Sequence, residues 1–113
     1  MKIDVKKVLK NLIDEEEECL RELQSTMEDL LKEWVRYRWK KMAYDSKFPK
    51  EKINPYVSDI SNTSEVIKNL GDKILYKKAE INVLKGYLQL SEPEIEGKIA
   101  YIEKGLSDID KYF

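Results

Sequence analysis

The chain has 113 residues, 42% of them hydrophobic and 38% charged, with a formal net charge of −1. That length supports one modest core and not two, and the apolar share excludes wholesale disorder. Histidine is absent and cysteine occurs once, which removes the commonest general base, the commonest metal ligand and any intramolecular disulfide.

The first expected element is one long helix over residues 1–44. Its clearest part is Leu20, Leu23, Met27, Leu30, Trp34 and Tyr37, a heptad-like stripe spaced 3, 4, 3, 4, 3. Val5, Val8 and Leu12 follow another register, and the acidic block Asp14-Glu15-Glu16-Glu17-Glu18 stands where the two would join. A bend or break is expected at 14–18. Residues 45–61, with Pro49 and Asn54-Pro55, read as a connector, in which Tyr56, Val57 and Ile60 could form one short helical turn.

A second helix is expected over 62–90. Asn62-Thr63-Ser64-Glu65 looks like a capping box, and Ile67, Leu70, Ile74, Ile81, Leu84 and Leu88 share a stripe. Gly71 weakens this helix by about 1 kcal/mol and is a candidate break. Ser91-Glu92-Pro93-Glu94 signals a further start. The last helix, 92–112, carries Ile95, Ile99, Ile102, Leu106 and Ile109, with Phe113 continuing the series. No strand-length stretch alternates apolar and polar residues. The expected fold is all-α, a single domain forming an antiparallel bundle of three to five helices, with a self-associating coiled coil as the competing way to bury the same stripes.

Covalent chemistry has little to work with. One cysteine without histidine builds neither a zinc site nor a Cys-His nucleophile, and four scattered glycines form no phosphate loop. Consecutive carboxylates fan out around a helix and do not converge on a metal. For Cys19, a small half-buried packing residue is the better expectation than a reactive thiol. The expectation is no enzyme, no cofactor and no metal. No apolar run approaches the roughly 18 residues needed to cross a bilayer, and charge interrupts the opening Met1-Lys2-Ile3-Asp4-Val5 at once. A soluble cytoplasmic protein that touches no membrane is expected.

Charge is unevenly spread, with Arg36, Arg38, Lys40, Lys41, Lys47, Lys50 and Lys52 forming a basic stretch. Within it, residues 34–43 hold both tryptophans. At 100° per residue, Trp34, Val35, Tyr37, Trp39, Met42 and Ala43 cover about two-thirds of the helix circumference, wider than the stripe an ordinary surface helix needs. This turn is then either enclosed on several sides, or enclosed on one side and open to a partner on the rest. Arg38 falls inside the arc, so a structural ion pair with another helix is expected for it. Arg36 and Lys40 fall on the narrow polar face. Nucleic-acid stacking is the weaker alternative, because aromatics inside an apolar arc are more often core than platform.

Over residues 33–49 the chain resembles the GINS family of archaeal and eukaryotic replication proteins. The helical domain of that family has a helix with an Arg-x-Arg motif, a further basic residue, an aromatic near the helix end and a proline beyond. The matching residues are Arg36, Arg38, Lys41, Tyr44 and Pro49. The resemblance implies a scaffold subunit that assembles through long helices with the MCM helicase and a RecJ-like protein, and it places the Arg-x-Arg helix at the heart of the helical domain. The small β-rich domain usual in that family has no counterpart here, and the helix from Ser91 to Phe113 takes its place.

The functional expectation is thus a helical interaction subunit with a protein partner or a second copy, with Trp34, Arg36, Tyr37, Arg38, Trp39, Lys40, Lys41 and Tyr44 as candidate residues. A small regulator or virus-encoded inhibitor of a host enzyme is the first alternative, and a weak nucleic-acid-binding protein the second.

Overall fold

The computed structural model describes residues 2–50 and 53–113; Lys52 of the basic stretch lies outside them. The described residues form three α-helices and a closing 3-10 turn: α1 (Val5–Lys47), α2 (Tyr56–Leu88), α3 (Glu92–Ile109) and the turn Asp110–Tyr112. The all-α expectation with a long first helix holds.

Helix α1 starts where Asp4 caps it, its carboxylate accepting from the Lys7 N–H at 3.0 Å. It then runs unbroken through residues 14–18, so the break expected there is corrected. The covered positions explain why. Val5, Leu9, Leu12, Glu16, Leu20, Leu23, Met27, Leu30, Trp34, Tyr37, Lys41 and Tyr44 are all part-covered, spaced 3 or 4 throughout. One extra step of 4 at Glu16 shifts the register, a stutter that one continuous helix absorbs by slight local unwinding. Val8 is off this stripe and exposed.

Two further boundaries are corrected. Helix α2 begins at Tyr56 and not at residue 62, so Asn62-Thr63-Ser64-Glu65 sits inside the helix and caps nothing. The cap is Asn54, whose side-chain oxygen accepts from the Tyr56 N–H at 2.9 Å, with Pro55 fitting the first helical position. Gly71 lies within α2 and ends nothing. Helix α3 starts where expected, with Pro93 in its first turn, although Ser91 makes no side-chain capping bond.

The chain divides into two compact units that share α1 and α2: Met1–Cys19 with Lys77–Phe113, and Leu20–Tyr76. In the second unit the helices form an antiparallel hairpin. Met27 Cε would meet a Cβ on Gly71 at 3.6 Å, and Trp34 Nε1 donates to Ser64 Oγ at 3.0 Å, so residue numbers fall on α2 as they rise on α1. Ile60 and Ile74 are its buried side chains. In the first unit Ile13, Ile81 and Ile95 are buried. There Glu16 pairs with Lys77 and Glu17 with Lys85 at 3.2 Å, so two of the five block acids turn to lysines on α2. An apolar groove of about 1070 Å³ opens beside Val5, Val8, Leu12, Ile99 and Ile102.

Candidate interaction site

Residues 34–44 lie on the second unit's half of α1, and the hairpin sorts them onto three faces. Trp34, Tyr37, Lys41 and Tyr44 belong to the seam with α2. Besides the Trp34–Ser64 bond, the Tyr44 ring lies 4.9 Å from Phe48 and 6.5 Å, edge-on, from Tyr56. The Lys41 carbonyl accepts from Asn54 Nδ2 at 3.1 Å. The same amide donates to Asp45 at 2.8 Å, and Lys41 Nζ reaches Asp45 at 3.3 Å. Asn54 therefore ties the end of α1 to the start of α2, and its amide bond to Asp45 holds that carboxyl below its ordinary value. Tyr37 donates to Glu33 at 3.1 Å, and this bond to a carboxylate holds the phenol proton above its ordinary pKa.

Arg36 and Lys40 are exposed on a polar side. Lys40 Nζ stands 5.9 Å from the Tyr37 ring and 5.8 Å from the Tyr56 ring, within cation–π range.

The third face carries the arc. At 100° per residue, Leu31, Val35 and Met42 fall within about 40° of one another, with Arg38 and Trp39 to either side. All five are exposed, Trp39 by 66% and Met42 by 58%. Arg38 is the correction here. It is not buried and meets no carboxylate among the described residues; its guanidinium lies over the Trp34 ring, 4.7 Å from the centroid. A two-helix hairpin covers one side of each helix, so a side chain about 80° off the seam stays in water and needs no ion pair. Arg38 thus projects outward along with Arg36 and Lys40.

On α2, Val57, Ser64 and Leu75 fall within about 20° of one another at 100° per residue, and all are exposed. In an antiparallel pair, rotation of the same sense away from the shared seam carries both stripes to the same side. Val57 and Ser64 therefore stand on the same side of the hairpin as the arc, with Arg38 between the arc and α2. Sequence periodicity marked neither Leu31, Val57 nor Ser64, because a second, narrower stripe beside a seam reads as an irregular edge of the first. Asn54 was also missed, although Asn-Pro before an apolar run is a cap signal.

No family model matches the chain, and no curated protein and no solved structure matches it either. Among the described residues no three or more cysteine, aspartate or glutamate side chains converge to hold a metal ion. No helix among them is long and apolar enough to cross a membrane.

Proposed function

We propose that the chain is a non-enzymatic interaction subunit that holds a protein partner against the open face of the α1–α2 hairpin. The observation carrying this is the arc of Leu31, Val35, Trp39 and Met42, four large apolar side chains standing in water on one face of α1. Contiguous apolar surface of this kind on a stiff element is what interfaces bury, and tryptophan with arginine beside it is the composition of their centres. The rest of the hairpin supports the face: the seam, the Trp34–Ser64 bond and the Asn54 tie fix α1 before any partner arrives, which lowers the ordering cost of binding.

The GINS-like scaffold role is the narrower form of this proposal. It draws support from the helix-only architecture and the long α1, which presents Arg36 and Arg38 and sets Lys41 and Tyr44 in the seam. It requires neighbouring subunits to cover an Arg-x-Arg segment that this chain by itself leaves exposed.

Affinity capture with the native chain and with a Val35→Asp, Trp39→Asp variant tests the broader proposal. The native chain is expected to retain at least one protein that the variant loses while its helical circular dichroism stays unchanged. Equal capture by both would remove the arc from any interface. For the narrower form, the captured set has to include replicative helicase components.

A further inference from the structure

Charge around the arc is one-sided. At 100° per residue, Arg38 stands between the arc and α2, and Lys32 and Arg36 stand beyond Trp39 on the other flank, all three exposed. On α2, Lys68 falls within about 40° of Val57, Ser64 and Leu75, on the same side of the hairpin, and is exposed too. Acids do not offset these cations. Residues 31–47 carry six cations and two acids, and both acids are engaged within the hairpin. Glu33 accepts from the Tyr37 hydroxyl, and Asp45 accepts from Asn54 and Lys41. Lys32 has Glu28 at 3.5 Å, whereas Arg36, Arg38 and Lys68 form no ion pair among the described residues. The face is also bounded. It turns polar at Glu28, a turn before Leu31, and at Ser46, a turn after Met42, which leaves an apolar ridge about 16 Å long at 1.5 Å per residue.

We propose that the occupant of the arc is an amphipathic helix of a partner protein, with aspartates and glutamates flanking its apolar stripe. This rests on the arc being an interface and adds the chemistry of what it holds. Leu31, Val35, Trp39 and Met42 are spaced 4, 4, 3, the ridge that a helix of about three turns covers with its own anchors. Arg38 and Arg36 then lie along the two edges of the contact, where charge selects the partner and sets its direction. Arg38 is already placed for this, its guanidinium 4.7 Å from the Trp34 ring centroid, so little freedom is lost when a carboxylate arrives. Two other anionic partners fit less well. A nucleic acid stacks its bases on aromatic rings, and three of the four arc residues are aliphatic. A helix lying on an anionic bilayer buries an apolar face along its length, and this face ends after three turns.

Selection from a displayed library of helical peptides tests this, with leucine fixed on one stripe, the flanking positions randomised and the native full chain as bait. The enriched peptides are expected to carry Asp and Glu on their flanks, and one of them, synthesised, should bind more weakly as salt rises. Arg38→Glu should weaken that peptide by about tenfold or more, and Trp39→Ser should abolish its binding, both with helical circular dichroism unchanged. Lys40→Glu makes the same charge change on the opposite side of α1 and should alter affinity by no more than about twofold at physiological salt. Neutral or basic flanks among the enriched peptides overturn the acidic partner, as do equal losses from Arg38→Glu and Lys40→Glu, or a library that enriches nothing. Where such peptides still depend on Trp39, the interaction face stands and only the chemistry of its partner falls. Binding to phosphatidylserine vesicles or to a single-stranded oligonucleotide that Trp39→Ser removes, with no acidic peptide enriched, overturns the proposal in favour of that surface and sinks the protein-partner role with it.

Discussion

A methyl group added at Gly71 would lie 3.6 Å from Met27 Cε, an ordinary van der Waals contact, on a helix whose backbone is already regular there. Gly71→Ala should therefore stabilise the protein by about 0.5–1 kcal/mol, through the helix propensity of alanine. Thermal melts check this, and a lower midpoint would mean that α1 and α2 approach more closely at this layer than the 3.6 Å spacing shows. Arg38 invites the opposite comparison. Its helix angle was readable from sequence, but whether a neighbour covers that angle depends on how many helices surround α1, which periodicity does not encode. With the guanidinium exposed and stacked on Trp34, Arg38→Ala should cost about 0.5–1 kcal/mol, the worth of an exposed cation–π contact. Arg36→Ala should cost less than about 0.5 kcal/mol. A loss of several kcal/mol for Arg38→Ala would place a buried carboxylate beside it after all.

Three helices could be read from the stripes, yet their ends were misplaced wherever a polar residue did the work of an apolar one. Glu16 occupies a covered position on α1 because Lys77 meets it, so the stripe looked interrupted and a bend was expected. Asn54 opens α2 six residues before Ile60, its first buried side chain, and a search anchored on apolar periodicity starts too late. The Asn54 side chain joins three partners: the Tyr56 N–H, the Lys41 carbonyl and the Asp45 carboxylate. Asn54→Ala should destabilise the hairpin by about 1–2 kcal/mol at neutral pH, the usual worth of an N-cap with its bonds. Part of that loss is pH-dependent. The folded pKa of Asp45 is depressed below its ordinary 3.8, first by the Asn54 amide and then by Lys41. The stability this contributes is present above 3.8 and fades as pH falls through the lower folded value. Melts of the two chains across acid pH should show the gap between them narrowing below 3.8; a gap that widens there would contradict the Asn54–Asp45 bond. The candidate segment fared unevenly for a related reason. Trp34 and Tyr37 were recognisable as stripe residues, while Lys41 on the seam and Trp39 in water reverse what their polarity suggests.

Two helices shield each other along one side only, and among the described residues no side chain is fully buried. That fact fixes a measurable property of unfolding. The denaturant slope m scales with the surface newly exposed on unfolding. An unfolded chain of 13.4 kDa exposes roughly 19,400 Å², and a folded monomer of that mass would hide roughly 12,900 Å² of it. Leaving 9056 Å² in water, this chain hides closer to 10,400 Å², taking the same unfolded area. At high dilution its urea m-value should thus fall about a fifth below that of a typical monomer of equal length. Urea titrations at low protein concentration read this slope. An m-value already typical of a 113-residue monomer at the lowest concentration would mean that the open faces of the hairpin are covered within one chain.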